Sequence, residues 1–330
     1  MRPAAPVAHS LRAARMRTRE QEVEPLINLS EITEVELLIL KRMREFTIGE
    51  HSSMFHGTGF DFVGLRDWQA GDRFEAIDWA QSSLTNFSPL VVREFEQPTT
   101  SGVILVADRS ASTRCGADPS ARGDRRGMQI ATLIARSIAT IGMSAVFFQD
   151  SIGLVTFDEG FHTLGAVRPR IGKGQVIHCL EAYQDGHGLQ ELNNSGSLSA
   201  TLSGFSRKTS MMPVISDFLF DDAPAFLQEL SQVDNVHDVF VMMVDASFAF
   251  ELPRVSAGWV EVYDVETGNT RMMSRRELGR QSERIRAWQD DVARQAKALD
   301  LDVLRLGIDQ VKFDLALVEW VAERRLRRRK

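Results

Sequence analysis

The chain has 330 residues, a length typical of about two domains or of one domain with additions. Apolar residues make up 43% and charged residues 25%, which is enough to build a sizeable core without covalent or metal staples. A net charge of −6 gives no indication of a nucleic-acid partner, and two cysteines are too few for a disulfide scaffold.

The strongest local charge bias lies at the termini. Residues 2–19 contain several arginines and almost no acid, and the chain ends on the basic run 324–330. Residues 1–25 are predicted to form a flexible basic arm rather than an organelle-targeting leader, and they lack the apolar core of a secretory signal. No apolar run approaches the ~18 residues of a membrane span, so we expect no span and a cytoplasmic location, which the low cysteine content also favours.

Residues 26–100 are predicted to form an N-terminal helix and a small β-rich subdomain. Thr33 and Glu36 have the spacing of a capping box, which predicts a helix from about residue 34 to 46. Glycines then punctuate short aromatic and β-branched stretches such as 60–63 and 91–95. This pattern indicates a long hairpin or a small sheet.

From residue 101 to 330 the pattern alternates between strands and helices. A continuous apolar run at 103–107 predicts a strand buried on both faces, and isoleucines at spacings of four and three predict a helix over 127–142. Residues 145–148 and 152–157 are predicted to form a hairpin with one antiparallel edge strand. Further helices are expected near 175–183, 198–205, 223–230, 275–299 and 314–325, and further strands near 213–216, 239–244, 259–263 and 303–306.

This alternation predicts an α/β fold with a doubly wound, mostly parallel sheet and a small β-rich N-terminal insertion. Ligands bind such sheets at the carboxyl ends of the strands. One strand ends there in Asp108-Arg109-Ser110-Ala111-Ser112, which places three oxygen-bearing side chains on one short turn. Another apolar strand ends in Asp217, so the two acids converge if the strands are neighbours.

Two carboxylates and two hydroxyls are hard ligands that suit Mg²⁺, and such a site leaves a coordination position that a partner's carboxylate can fill. Capping of the next helix or an Asx turn is the ordinary alternative for Asp108 or Asp217 alone. A phosphatase-like, metal-dependent hydrolase is the alternative function. An Asp-nucleophile phosphatase normally has a second acid two residues on, where Ser110 stands. A scaffold that binds no metal is the third interpretation.

The Asp108–Ser112 segment resembles the metal-ion-dependent adhesion site (MIDAS) of von Willebrand factor A domains. The chain upstream is similar to bacterial proteins grouped as domain of unknown function fifty-eight. The segments that carry this second resemblance are 64–72 (GLRDWQAGD), 77–79 (IDW) and 92–96 (VREFE). The resemblance covers most of the chain from about residue 40 onward.

The resemblance implies a Rossmann-like A domain with a β insertion, acting with a MoxR-type AAA+ ATPase as a chaperone-like adaptor in assembly or maturation, and not as an enzyme. It implies that Mg²⁺ or Mn²⁺ is bound by Asp108, Ser110, Ser112 and Asp217. The family also uses a loop threonine, for which Ser197 or Ser195 stands here. The residues expected to contact the partner are Arg109, Thr113 and Asp221.

Overall fold

The computed structural model describes residues 25–50, 61–69, 77–84, 86–96, 102–117, 128–158, 164–192, 198–206, 208–250, 258–263 and 269–327. The chain divides into two compact units. Residues 1–39 together with 101–330 form the first unit, and residues 40–100 form the second. Apart from Pro25, the predicted basic arm lies outside the described residues.

The elements are numbered in chain order. The strands are β1 (Asp61–Asp67), β2 (Val91–Glu96), β3 (Gly102–Asp108), β4 (Gly116–Ala117), β5 (Met128–Gln129), β6 (Ser151–Phe157), β7 (Leu164–Arg170), β8 (Gln190–Glu191), β9 (Ser210–Ser216), β10 (Asp238–Val244), β11 (Trp259–Tyr263), β12 (Thr270–Ser274) and β13 (Asp302–Leu306). The helices are α1 (Leu29–Glu50), α2 (Trp79–Leu84), α3 (Ile130–Phe147), α4 (Lys173–Asp185), α5 (Leu198–Phe205), α6 (Ala223–Asp234), α7 (Arg275–Ala298) and α8 (Gln310–Arg327).

A seven-stranded sheet in the order β13-β10-β9-β3-β6-β7-β8 organises the first unit. The five strands from β13 to β6 pair in parallel, and β7 and β8 add antiparallel at one edge. Strands β3 and β9 are apolar along almost their whole length because they lie in the middle of the sheet and are buried. The predicted α/β fold with a mostly parallel central sheet is confirmed.

Four phenylalanines fill the core below the carboxyl ends of these central strands. Phe157 ends β6, Phe218 and Phe220 follow β9, and Phe226 lies on α6, with ring centroids 5.2 to 6.4 Å apart. Tilted and edge-to-face contacts at these separations stabilise a core beyond simple burial. The turn that follows β9 is therefore anchored in a closely packed aromatic core.

Helix α1 begins earlier than predicted, and its cap is different. Asn28 Oδ1 accepts the backbone N–H of Glu31 at 2.8 Å, and a Glu31 carboxylate oxygen accepts the N–H of Asn28 at 2.7 Å. This reciprocal pair satisfies two of the donors that a helix start leaves free. The predicted Thr33–Glu36 capping box is wrong, because Thr33 lies inside the helix and donates to the Leu29 carbonyl oxygen.

The predicted hairpin over 145–157 is also wrong. Helix α3 continues to Phe147, so residues 145–147 are helical, and β6 pairs in parallel with β3. The antiparallel strand beside β6 is β7. A short apolar run has the same composition in a buried helix and in a buried strand, so periodicity cannot separate the two here.

Helix α3 is long and apolar enough to cross a membrane by length and composition, the one such helix in the described part of the chain. The sequence predicted no such stretch, since the basic Arg136 interrupts the apolar run. In the structure 78% of this stretch is buried inside the protein, where α3 packs against the central sheet, α4 and α8.

The later elements lie close to their predicted positions, with one difference in pairing. Strand β11 was predicted within the α/β alternation, but it pairs with β12 in a separate antiparallel ribbon. Val262 and Met273 of this ribbon pack on Leu278 of α7. The strand β12 itself was not predicted.

In the second unit, β1 and β2 form the predicted antiparallel pair, with a register shift between Phe62 and Gly64. Asp78 caps the start of α2, because its Oδ1 accepts the N–H groups of Ala80 and Gln81 at 3.0 and 3.1 Å. The aspartate of the Ile-Asp-Trp segment thus has a capping role.

A buried ion pair joins α3 to α8 in the first unit. The Arg136 guanidinium donates from Nε and Nη2 to the Asp314 carboxylate at 3.0 and 2.6 Å, and Thr140 Oγ1 adds a third contact at 3.3 Å. Arg136 is 7% exposed and Asp314 is 4% exposed. Removing one partner of such a pair leaves the other charge buried without compensation.

We predict that Asp314→Ala lowers the free energy of unfolding by about 3–5 kcal/mol, measured by urea denaturation. The matched control is Asp291→Ala, which removes the exposed Asp291–Arg294 pair on α7 and costs less than about 1 kcal/mol. Equal losses in the two variants would show that the buried pair has no special role in holding α8 to α3.

Candidate metal centre

The two predicted aspartates lie at the carboxyl ends of neighbouring parallel strands. Asp108 is the last residue of β3, and Asp217 directly follows β9. Ala107 and Ile215 are paired across these strands. Asp108 follows Ala107 by one residue and Asp217 follows Ile215 by two, so both aspartates lie at the same edge of the sheet. The strand order therefore brings together two acids that are far apart in the sequence.

The loop after Asp108 folds back over this edge. The Ser110 backbone N–H donates to Asp108 Oδ1 at 2.7 Å, and a short 3-10 turn follows at Ala111–Arg114. The hydroxyls of Ser110 and Ser112 are 3.0 Å apart, and Ser112 Oγ donates to Asp217 Oδ1 at 3.1 Å. The alternate spacing of the two serines turns both hydroxyls toward the carboxylates.

Both carboxylates are 0% exposed. Burial raises the pKa of Asp217 to about 7, and the neighbouring Asp108 carboxylate is the second cause of the rise. Burial likewise raises the pKa of Asp108, while hydrogen bonds from Ser216 and Ser110 oppose that rise. Two acids this close and this deeply buried cannot both ionise cheaply unless a positive charge lies between them.

One oxygen of the pair lacks a hydrogen-bond partner. Asp217 Oδ1 accepts from Ser112 Oγ and from the Leu219 N–H, whereas the buried Asp217 Oδ2 has no partner among the described residues. A buried carboxylate oxygen without a donor is costly and calls for an explanation. A cation bound to this oxygen would remove that cost, and the surrounding carboxylate and hydroxyl oxygens are suitable metal ligands.

In the described part of the chain, no group of three or more His, Cys, Asp and Glu side chains is placed to hold a metal. The donor set here has two carboxylates only, so the remaining ligands are hydroxyls and water. This composition is compatible with Mg²⁺ or Mn²⁺ and unlike that of a zinc site.

Three residues that the sequence analysis missed hold the aspartates in place. Ser216 Oγ donates to Asp108 Oδ2 at 2.5 Å, and Tyr183 of α4 donates to the Asp108 carbonyl oxygen at 3.0 Å. Gln289 Nε2 donates to the carbonyl oxygens of Asp217 and Val244, at 2.9 and 2.8 Å. Of these three residues, only Ser216 could have been identified from the sequence, because it directly precedes Asp217.

The turn after Asp217 has an unusual backbone. Phe218 has φ +56°, a left-handed conformation that bulky residues rarely adopt. Its N–H donates to Ser216 Oγ at 2.8 Å, and its carbonyl oxygen accepts from Trp288 Nε1 at 2.7 Å. These bonds and the aromatic core keep Phe218 in this conformation, which turns the chain sharply beside the carboxylate.

The other predicted site residues have different positions. Ser195 and Ser197 lie outside the described residues, immediately before α5, whose first N–H groups at Leu198 and Ser199 donate to Glu229 at 2.6 and 3.2 Å. Thr113 is buried, and its Oγ1 donates to the Ser110 carbonyl oxygen at 2.8 Å.

Arg109 and Asp221 lie closer to solvent than Thr113. Arg109 is half-buried, with its guanidinium beside Gly186, the left-handed residue that ends α4. Asp221 is exposed after the Asp217 turn. Of the predicted partner contacts, these two are therefore better placed than Thr113 to meet another molecule.

The fold and the site together define an α/β protein with a mostly parallel sheet and two buried strand-end aspartates beside serine hydroxyls. The chain belongs to the family described as "Protein of unknown function DUF58", which it matches over residues 64–298. This range includes Asp108 and Asp217, and it confirms the predicted family. No curated protein matches the chain.

Two solved structures are similar to the chain at low identity. One is an aerotolerance-related membrane protein from Bacteroides fragilis with multiple mutations to serine, at 15% identity and a TM-score of 0.35, covering 68% of this chain and 99% of that one. The other is the conserved hypothetical protein BatB from Bacteroides thetaiotaomicron, at 12% identity and a TM-score of 0.35, covering 68% and 98%.

We predict that the protein in EDTA loses stability as the pH rises from about 4 to about 7. The folded-state pKa of Asp217 lies above its unfolded value, so the folded protein holds this proton more tightly. The stability contributed by this proton is fully present below the pKa of Asp217 in the unfolded chain. It is lost as the pH rises through the pKa of Asp217 in the folded protein, about 7.

The test compares thermal unfolding midpoints of the wild type and Asp217→Asn across this pH range. Asparagine cannot ionise, so its midpoint should fall less steeply than that of the wild type. Asp309→Asn, a change at an exposed side chain, is the control and should follow the wild type. Parallel curves for wild type and Asp217→Asn would contradict the prediction.

Proposed function

We propose that this protein is a metal-dependent protein-binding adaptor whose central sheet belongs to a Rossmann-like von Willebrand factor A domain. In this proposal Asp108, Ser110, Ser112 and Asp217 form a MIDAS for Mg²⁺ or Mn²⁺, and an Asp or Glu side chain of a partner protein completes it. The observation that carries the proposal is the unpartnered Asp217 Oδ2, buried beside a second carboxylate.

The charge around the site supports the need for a cation. Asp158, at the end of β6, adds a third negative charge near Asp108, and Asp221 lies exposed nearby in the chain. Without a positive ion this edge repels a carboxylate from another protein. A bound divalent cation supplies an electrophilic position for a carboxylate oxygen.

The residues of the chain would keep the donor oxygens in position. Ser216 orients one side of the Asp108 carboxylate, and the Ser110 N–H orients the other. Gln289 and Tyr183 fix the backbone at the two aspartates. A site held this way is preorganised, so little order has to be created on binding.

The family resemblance adds a MoxR-type AAA+ ATPase as the proposed partner machine, in assembly or maturation of another protein. We propose a cytoplasmic location. Cys115 and Cys179 are both buried and form no disulfide in the described structure, which is usual for proteins in a reducing compartment. The hydrolase alternative lacks a specific observation in its favour.

We predict that Mg²⁺ or Mn²⁺ binds the purified protein with one-to-one stoichiometry in isothermal titration calorimetry. Asp108→Ala and Asp217→Asn should weaken the affinity by about a hundredfold, and Ser112→Ala by about tenfold, because each removes a donor oxygen. Asp309→Asn should bind like the wild type. Unchanged affinity in Asp108→Ala with an intact fold by circular dichroism would reject the metal centre.

We predict that a tagged protein captures a purified MoxR-type AAA+ ATPase in Mg²⁺, and that EDTA or Asp108→Ala abolishes this capture. A parallel assay with p-nitrophenyl phosphate and Mg²⁺ should show no turnover. Capture that survives both treatments would contradict the mechanism. Phosphatase turnover that disappears in Asp108→Ala would favour the hydrolase instead.

A further inference from the structure

We infer that Arg276, Arg280 and Arg284 on α7, here called the arginine row, form a second part of the partner interface. The row would recognise an extended acidic segment of the partner, one of whose carboxylates lies at the metal centre. This inference rests on the proposed function and specifies the chemistry of the partner.

The first half of α7 rises above the same sheet edge as the metal centre. Gln289 is level with the strand ends, because it binds the carbonyl oxygens of Asp217 and Val244. Ser282, further toward the start of the helix, contacts the carbonyl oxygen of Ser247 beyond the end of β10. At a rise of about 1.5 Å per residue, the row extends from about 7 to about 20 Å beyond Gln289.

The row faces solvent. Leu278, Ser282 and Ile285 form the buried side of this half of α7, while all three arginines are exposed. Two ion pairs of α7, Asp291–Arg294 and Asp290–Arg305, lie in its second half. Within the described ranges no salt bridge joins the row to an acid, although Arg280 lies near enough to Glu277 to interact with it electrostatically.

Without an anionic partner, charge repulsion within the arginine row destabilises the helix. Like charges four residues apart are neighbours on a helix surface and repel each other. Residues 275–286 contain five arginines and two glutamates, in a chain whose overall net charge is −6. Glu277 is engaged in capping, since its carboxylate accepts the Ser274 N–H and hydroxyl at 2.8 and 2.7 Å. This arrangement is best explained by an external anionic partner.

The spacing of the row matches an extended acidic segment. Arginines four residues apart on a helix are separated by about 6 Å along its axis, and alternate residues of an extended chain by about 6.6 Å. Trp259, 60% exposed and paired with Ser274 at the start of α7, adds an apolar contact at the far end of the row.

Nucleic acid is the other polyanion to consider, and the surrounding charge disfavours it. The chain has a sequence pI of about 5.7, whereas nucleic-acid-binding domains carry a broad basic face. Asp158 and the exposed Asp221 lie on the same edge as the metal centre. A short acidic peptide can place single carboxylates at the ion and at the row without lying against Asp158 and Asp221. A continuous phosphate backbone cannot avoid repulsion by these two acids.

The experiment measures binding of a fluorescein-labelled ten-residue peptide of alternating Glu and Ser by fluorescence anisotropy, in Mg²⁺. Such a peptide spans about 33 Å when extended, enough to reach from the metal centre to Arg276. The variant R276Q/R280Q/R284Q should raise Kd about tenfold, and this difference should shrink at high salt. A peptide of alternating Gln and Ser should not bind.

The matched control R294Q/K297Q/K312Q removes three exposed positive charges from the second half of α7 and from α8. It should bind the acidic peptide like the wild type. Circular dichroism checks that both triple variants remain folded, and an unfolded row variant is replaced by the three single substitutions.

The outcomes separate the two proposals. Equal Kd values for the two triple variants would overturn the role of the row, whatever the metal does. Peptide binding that is insensitive to EDTA and to Asp108→Ala, but lost in the row variant, would reject the metal-dependent function and keep the row. Tighter, row-dependent binding of a single-stranded oligonucleotide would overturn the acidic protein segment as the occupant.

Discussion

Burial of two carboxylates side by side is the constraint on which the rest of this structure depends. Asp108 and Asp217 lie fully inside the protein, at the ends of adjacent strands, and repel each other there. Neighbouring hydroxyl groups offset part of that cost, whereas Asp158 adds to it. Hydroxyls of Ser110, Ser112 and Ser216 face the pair, and a positive ion would remove the repulsion itself.

Helices from different parts of the chain contact the backbone of the two aspartates. Tyr183 at the end of α4 holds the carbonyl of Asp108, and Gln289 in the middle of α7 holds that of Asp217. Trp288 holds the left-handed Phe218 next to it. The position of each carboxylate therefore depends on residues of a helix distant in sequence. Helix α7 carries both Gln289, at the candidate metal centre, and the arginine row.

The sequence predicted the parts that depend on local pattern. Continuous apolar runs located β3 and β9, and their terminal aspartates located the candidate site. The failures came from patterns with two physical solutions, as at residues 145–147, where a buried helix and a buried strand look alike. Tyr183 and Gln289 could not have been predicted, because their roles arise from tertiary contacts with backbone oxygens.

The pairing of β3 with β9 has a consequence for how the site is made. Its halves are separated by more than a hundred residues, and β6, α3 and α4 are synthesised between them. Closing so long a loop is entropically costly and slow, so a nascent chain that has exposed Asp108 still lacks the second carboxylate. Under the proposed function, stable binding of the metal would follow the pairing of β9 with β3, so a metal-loaded site would indicate that this half of the sheet is complete.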